Sequence, residues 1–124
     1  MLMQLLKGKI HRAHITHCDL DYEGSLEIDP EILAAADILP YEKILVVNAT
    51  NGERLETYAI PGEPGTKIFR LNGAAAHRGR IGDIITIMCF ASYEKAEAAE
   101  HLPTVLVMDA ENNIAVRRKG RTVI

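Results

Sequence analysis

Short extended segments separated by tight turns fill most of this chain of 124 residues. Their side chains either alternate between apolar and polar or form brief apolar runs, and both patterns are typical of β-strands. Asn51-Gly52 is the strongest hairpin signal among the connections. The predicted strands cover residues 7–16, 20–28, 43–49, 53–60, 66–71, 84–90, 104–108 and 114–118. The second of them is interrupted at Gly24, where a bend or a close backbone approach is expected. So many short strands predict a mainly β fold, folded as a small closed barrel with short helices.

Helical signals are few and local. Asp29 is placed to cap a helix that begins at Pro30 and ends before Pro40, because aspartate accepts hydrogen bonds from free N–H groups and proline suits the first turn. Residues 93–101 have helix-forming composition but little apolar face, which predicts a short surface helix. Residues 74–77 are compatible with one further helical turn.

The composition is that of a globular protein, with 48% hydrophobic and 25% charged residues. The length fits one domain, residues 1–124, that buries its own core. A net charge of −3 gives no electrostatic case for binding nucleic acid or an anionic membrane. No apolar run reaches the roughly 18 residues of a membrane span, and the first residues lack a signal-peptide pattern. Cys18 and Cys89 lie far apart, as expected of reduced thiols in a cytoplasmic protein.

Two clusters invite functional interpretations that their spacing does not support. His14, His17 and Cys18 contain metal-ligating groups, but their spacing matches no standard zinc pattern, so we expect ordinary strand residues and no metal. The basic run at residues 117–121 is predicted to be a solvated tail, with a nucleic-acid contact as the functional alternative.

Single residues that could carry chemistry are uninformative when taken alone. Gly24-Ser25 is a dipeptide common in turns, and Asn72-Gly73 is usually one as well. Lys9 and Arg54 are, by default, solvated surface charges.

Three longer motifs change this interpretation when they are read together. HRAHITHCDLDYEGS spans residues 11–25, TNGERLETYAIPGEPGT spans residues 50–66, and LNGAAAHRGRIGD spans residues 71–83. In this order and at these intervals they resemble the bacterial pyruvoyl-dependent aspartate 1-decarboxylases, and the resemblance covers nearly the whole chain. It implies a six-stranded double-psi β-barrel that assembles as a homotetramer, with active sites between neighbouring subunits.

The resemblance also implies that the chain cuts itself between Gly24 and Ser25. The Ser25 hydroxyl oxygen would attack the Gly24 carbonyl carbon. Elimination and hydrolysis would then separate residues 1–24 from residues 25–124 and leave a pyruvoyl group in place of Ser25. Glycine removes bulk beside the attacked carbonyl and tolerates unusual dihedrals, so backbone strain can assist the attack. The covalent pyruvoyl group is the implied cofactor, in place of a metal or pyridoxal phosphate.

The implied reaction converts L-aspartate to β-alanine and CO₂, a lyase step of pantothenate and coenzyme A biosynthesis. Loss of CO₂ leaves a carbanion that side chains alone cannot stabilise, and a Schiff base between substrate and pyruvoyl group supplies the electron sink. By resemblance, Arg54 would bind a substrate carboxylate and Lys9 would provide a second cationic contact. Tyr58 would return the proton to Cα.

Further roles follow from the resemblance alone. Thr57 and Asn72 would support the geometry of self-cleavage and contact the substrate. The remaining residues implied at the site are Gly73, Ala74 and Ala75 beside the ligand, with His11 and Tyr22 in supporting positions. An accessory protein assists cleavage in part of the family and is therefore a possible partner.

Three alternatives stay open from the sequence. The chain could be an uncleaved, inactive barrel that only binds ligands, a decarboxylase of another amino acid, or a metal hydrolase. Two cations for a dicarboxylate, Arg54 and Lys9, favour aspartate over other amino acids. Arg78 and Arg80 add positive charge after the NGAAAH motif, and the sequence assigns them no role.

Overall fold

The computed structural model describes residues 1–119, and within them the chain forms nine strands, two α-helices and one 3₁₀ helix. The elements in chain order are β1 (Leu2–His14), β2 (His17–Asp19), β3 (Ser25–Ile28), α1 (Pro30–Ala35), β4 (Lys43–Asn48), β5 (Arg54–Pro61), β6 (Phe69–Asn72), the 3₁₀ helix (Gly73–Arg78), β7 (Ile84–Glu94), α2 (Lys95–Glu100), β8 (Thr104–Met108) and β9 (Ile114–Lys119). The predicted mainly β fold with short helices is confirmed.

All nine strands join one hydrogen-bonded series in the order β2-β6-β3-β5-β4-β7-β1-β8-β9. The pairs β2–β6, β3–β5 and β1–β8 are parallel, and the other neighbours are antiparallel. β1 runs into β2 through only Ile15 and Thr16, whose N–H groups donate to the carbonyls of Asp83 and Phe69 at 3.0 and 2.9 Å. This short connection keeps β2 close to β1, although the two strands stand at opposite ends of the run β2-β6-β3-β5-β4-β7-β1.

The expected closed barrel of six strands is not confirmed by this pairing. The described part of the chain places nine strands in the series, and its end strands, β2 and β9, share no ladder. The β8–β9 hairpin is one reason for the difference, because it attaches to the free side of β1 and extends the sheet beyond it.

Local capping explains why α1 begins where it does. One carboxylate oxygen of Asp29 accepts from the Glu31 N–H at 2.9 Å, and the other accepts from the Lys67 N–H at 2.9 Å. Pro30 occupies the first helical position, where its missing N–H is of no consequence. The predicted start of the helix at Pro30 is confirmed. The helix ends at Ala35, well before Pro40, and is therefore shorter than the predicted segment allows.

The predicted strand over residues 20–28 is wrong in its first half. β3 begins only at Ser25, and β2 ends at Asp19. The Asp19 carboxylate accepts a hydrogen bond from the Asp21 N–H at 3.0 Å, which forms a local turn that competes with strand pairing. The residues before the Gly24-Ser25 bond consequently form a turn rather than a strand.

The predicted surface helix is confirmed with a later start. Tyr93 and Glu94 still belong to β7, and α2 covers Lys95–Glu100 with no buried side chain. Glu94 and Glu97 cap each other across the first turn, which fixes where the strand gives way to the helix.

The outer face of β1 carries its basic side chains. Gly8 and Ile10 are buried, whereas Lys7, Lys9 and His11 are partly exposed. This alternation places Lys9 and His11 on one face of β1, whereas Lys7 lies where the register of β1 against β7 shifts. The opposite face joins the aliphatic core, whose fully buried members include Ile10, Leu26, Phe69, Ile87 and Leu106.

The basic run near the C-terminus is not a solvated tail over its first part. Arg117, Arg118 and Lys119 lie in β9, which pairs with β8. Residues 120 and 121, the rest of the run, lie outside the described residues. Among the helices at positions 1–119, none has the length and apolarity needed to cross a membrane.

Candidate active site

Ser25 is the first residue of β3, and it is buried against β6. Its side chain is 1% exposed, and its Cα pairs with that of Asn72 across the two antiparallel strands. The Asn72 side-chain Nδ2 donates to the Ser25 Oγ at 3.1 Å. The Ser25 hydroxyl in turn donates to the Glu23 carbonyl at 3.3 Å. Both hydrogen bonds hold the hydroxyl beside the turn that precedes it.

Gly73 brings the backbone after β6 against that same turn. Its φ is +66°, and a Cβ at this position would lie 2.7 Å from the Gly24 nitrogen and 2.8 Å from the Tyr22 carbonyl oxygen. Both features require glycine, since other residues rarely adopt this φ and no side chain fits the space. Gly73 therefore fixes the backbone of residues 22–24 next to Asn72.

Gly24 lies in the bend that the sequence predicts at this position. Its φ lies outside the left-handed region, and a Cβ on Gly24 would meet no atom within 4 Å. The left-handed residue of this site is Gly73. The sequence signal for this was the Asn72-Gly73 pair, which favours such a conformation.

A cavity of about 450 Å³ opens beside the Gly24-Ser25 bond. Several residues implied by the motifs meet there although they come from distant parts of the chain. Its lining consists of Gly24, Arg54, Leu55, Glu56, Thr57, Ala74, Ala75 and Arg78. The small side chains of Ala74 and Ala75 leave the space, and Arg54 supplies a cation at its edge.

Arg78 is a cavity residue to which the sequence assigned no role. Its Nη1 donates to the Glu53 carboxylate at 2.9 Å and to the Arg54 carbonyl at 3.2 Å. The Asn48 and Asn51 amides donate to its own carbonyl at 3.2 and 3.0 Å. Arg78 thus ties the end of the 3₁₀ helix to the start of β5, where Arg54 lies.

The cavity lining does not include several residues that the resemblance implies, namely Ser25, Asn72, Gly73, Tyr58, Tyr22, Lys9 and His11. Tyr58 borders a neighbouring cavity of about 640 Å³, which Thr57 also lines. Tyr22 is 52% exposed, and Lys9 and His11 lie on the outer face of β1. One chain therefore gathers Ser25, Asn72, Arg54 and Thr57, but it does not bring Lys9 or His11 to them.

His11 lies in a cationic environment. Burial lowers the pKa of His11 below its ordinary value, and the nearby charges of Lys9, Arg12 and Arg118 lower it further. Its Nδ1 is 3.2 Å from the Thr86 hydroxyl. The neutral imidazole is accordingly favoured at this position.

The His17 and Cys18 side chains contact protein atoms, whereas the buried His14 Nδ1 has no hydrogen-bond partner within residues 1–119. The His17 Nδ1 is 2.8 Å from the Thr16 hydroxyl, and the Cys18 thiol donates to the Gly79 carbonyl at 3.6 Å. Over positions 1–119, no group of three or more His, Cys, Asp or Glu side chains is placed to hold a metal ion.

Comparison with known proteins identifies the family of this chain. The sequence model of the family described as aspartate decarboxylase matches residues 1–115. An aspartate 1-decarboxylase of Syntrophobacter fumaroxidans is 54% identical over 108 residues, 87% of this chain and 87% of the relative. Those of Desulfotalea psychrophila and Listeria welshimeri are 51% and 47% identical over 114 residues, which is 92% of this chain and 96% and 90% of the relatives. This chain belongs to the aspartate decarboxylase family.

Proposed function

We propose that the chain is the precursor of a pyruvoyl-dependent aspartate 1-decarboxylase, which cuts itself between Gly24 and Ser25 and then forms β-alanine from L-aspartate. The observation that carries the proposal is the buried Ser25 hydroxyl, held by Asn72 beside a cavity that contains Arg54. The names of the relatives support the same reaction.

Self-cleavage begins at the Ser25 hydroxyl. Its oxygen attacks the Gly24 carbonyl carbon, the peptide C–N bond breaks, and the freed nitrogen takes up a proton, which leaves an ester. Elimination then removes the Cα proton of residue 25 and breaks the bond between Oγ and Cβ, so that residues 1–24 end in a carboxylate and residue 25 becomes dehydroalanine. Hydrolysis of the resulting dehydroalanine releases ammonia. The Asn72 amide, which donates to the Ser25 Oγ at 3.1 Å, would position the attacking oxygen.

The surroundings of Ser25 fit the group that this sequence of steps would create. The Asn72 Nδ2 contacts the Ser25 Oγ at 3.1 Å and could donate to a carbonyl oxygen at that position. The pyruvoyl group supplies an electron sink for the carbanion left by loss of CO₂. Asn72 would orient it, and Gly73, Ala74 and Ala75 would leave room for the substrate.

Arg54 and Lys9 would bind the two carboxylates of aspartate, and Tyr58 would donate the proton to Cα. Thr57 would contribute to self-cleavage and substrate contact. That Lys9 and His11 lie apart from the cavity supports a site completed by a neighbouring copy. We therefore include the homotetramer in the proposal, with His11 and Tyr22 in supporting positions at the contact between copies.

The remaining expectations belong to the same proposal. Residues 1–124 would form one domain in which six strands close as a double-psi barrel. The enzyme would be cytoplasmic, would serve pantothenate biosynthesis, and would use neither metal nor pyridoxal phosphate. An accessory protein could be required for cleavage.

Denaturing mass spectrometry of the purified chain before and after warm incubation tests the proposal. We expect two fragments that divide after Gly24, the larger one lighter by one ammonia than a chain that begins with serine. Ser25→Ala should remain intact and inactive, whereas Ser92→Ala, at the exposed second serine of the chain, should cleave normally. A cleaved, active Ser25→Ala variant would overturn the mechanism.

A wild-type chain that stays intact distinguishes two further cases. Cleavage on addition of extract from the source organism would identify a missing accessory protein. Persistence of the intact chain, with aspartate bound but not converted, would establish the uncleaved binding module instead.

A further inference from the structure

Lys9 and Arg118 share one face of the sheet. Lys9 pairs with Val105 on β8, and Val105 pairs with Arg118 on β9. Residues paired directly across neighbouring strands project to the same side, so Lys9 and Arg118 are separated by one strand, with about 10 Å between their Cα atoms. His11 lies two residues after Lys9 on the same side of β1, opposite Val107.

This face carries positive charge without a counter-ion. The charges felt by His11 are those of Lys9, Arg12 and Arg118, all cations. Of the ion pairs formed within residues 1–119, none includes Lys9, Arg12 or Arg118. Like charges this close repel one another, and a bound anion would relieve the repulsion.

Arg118 has an unused hydrogen-bonding edge. Its Nε and Nη2 are buried, and both lack a partner in the described part of the chain. Buried donors without acceptors are rare because losing water without replacement is unfavourable. The neighbouring Arg117 differs, since its Nε donates to the Ala35 carbonyl at 3.3 Å.

Arg70 shows how the same edge of a guanidinium group binds a carboxylate. The Nε and Nη2 of Arg70 donate to the two carboxylate oxygens of Glu27, each at 3.1 Å. Arg118 presents the same two nitrogens, which form the edge of the guanidinium that matches a planar carboxylate. A carboxylate is therefore the ligand that suits Arg118.

We propose that Arg118 is a specificity-determining residue that binds, together with Lys9, one carboxylate of the dicarboxylate substrate. This inference rests on the proposed function, in which Lys9 contacts aspartate. Arg118 lies beyond residues 1–115, the stretch that the family model matches. The other carboxylate is left to Arg54.

Binding of succinate, a dicarboxylate without the reactive amino group, tests the inference by titration calorimetry. Arg118→Gln should weaken succinate binding roughly tenfold to hundredfold, the effect of losing one charged hydrogen-bonded contact. Arg118→Lys keeps the charge without the paired donors, so its affinity for succinate should lie between those of wild type and Arg118→Gln. Arg117→Gln, the matched control, should bind like wild type. In the processed enzyme Arg118→Gln should raise the KM for aspartate by the same factor and change kcat little.

Equal succinate affinity in wild type and Arg118→Gln would overturn the inference. Dissociation of the assembly in Arg118→Gln, measured by light scattering, with unchanged succinate affinity per folded chain, would show that a carboxylate of a second copy occupies the edge and would also overturn it. Failure of the proposed function appears separately, as a wild-type chain that mass spectrometry finds intact.

Discussion

The side-chain amide of Asn72 donates a hydrogen bond to the Ser25 hydroxyl oxygen over 3.1 Å, across the paired strands β3 and β6. Both residues are buried, so water does not compete for this bond. Asn72→Ala removes the donor and leaves the hydroxyl with the Glu23 carbonyl as its remaining partner. We expect cleavage at least about tenfold slower and a free energy of unfolding lower by about 1–3 kcal/mol. Timed mass spectra and denaturant titration measure the two effects.

Asn112→Ala is the control for that variant. Asn112 is also buried, and its amide bonds to the backbone of His14, away from Ser25. It should lower stability without slowing cleavage. Equal slowing in both variants would mean that general destabilisation, rather than the contact with Ser25, explains the effect of Asn72.

Gly73→Ala should disrupt the turn before Ser25. The new Cβ would meet backbone atoms of Gly24 and Tyr22 at 2.7–2.8 Å, and the φ of +66° disfavours alanine in addition. We expect a loss of roughly 2–4 kcal/mol in the free energy of unfolding and little or no cleavage. Gly52→Ala has a similar φ of +80° with no atom within 4 Å, so it should lose only about 1 kcal/mol and cleave normally. Similar results for the two variants would contradict the steric argument.

Arg54→Ala should separate cleavage from turnover. Arg54 lines the cavity, but within residues 1–119 its side chain forms no hydrogen bond with Ser25. We expect near-normal cleavage and a KM for aspartate raised about tenfold to hundredfold, because a carboxylate loses a charged partner. Arg80→Ala, an exposed arginine outside the cavity lining, should leave both unchanged. Slow cleavage with normal KM would contradict a role in substrate binding.

The two thiols should differ in reactivity. Burial raises the pKa of Cys89 to about 12, with the nearby Glu42 charge adding to the effect, so this thiol stays protonated at pH 8. Cys18 is exposed, although partial burial of its thiol and the Asp83 charge raise its pKa as well. A chromogenic disulfide reagent should modify Cys18 in the folded chain, faster as the pH rises, and reach Cys89 only in denaturant. Rapid reaction of a folded Cys18→Ser variant would contradict this.

Local chemistry was sufficient to predict several features from the sequence. Asp29 and Pro30 specify the start of α1, and Asn51-Gly52 specifies the β4–β5 turn, where Gly52 has a φ of +80°. The strand expected from Leu20 failed because a pattern of side chains cannot reveal that the Asp19 carboxylate captures the Asp21 N–H. Alternation describes only which face a side chain would occupy if a strand formed.

The candidate site was likewise predicted only in part from the sequence. The motifs named Arg54, Thr57, Ala74 and Ala75, and folding places all four around one cavity. The role of Arg78 could not be read from the motifs, because it depends on the Glu53 carboxylate and the Arg54 carbonyl, which only tertiary structure brings near. The separation of Lys9 from this cavity likewise follows from strand order, which short sequence patterns do not determine.

The position of β1 between β7 and β8 has a consequence for the molecularity of folding. Residues 1–24 contain a strand paired on both sides and contribute Ile10, Ala13 and Ile15 to the core. Once the bond after Gly24 is cut, unfolding also dissociates two polypeptides, and refolding becomes a bimolecular encounter. The thermal midpoint of the cut protein then depends on concentration, and a synthetic peptide of residues 1–24 added in excess should raise it by mass action. Within each copy, a fold that one polypeptide forms before cleavage depends afterwards on the association of two polypeptides.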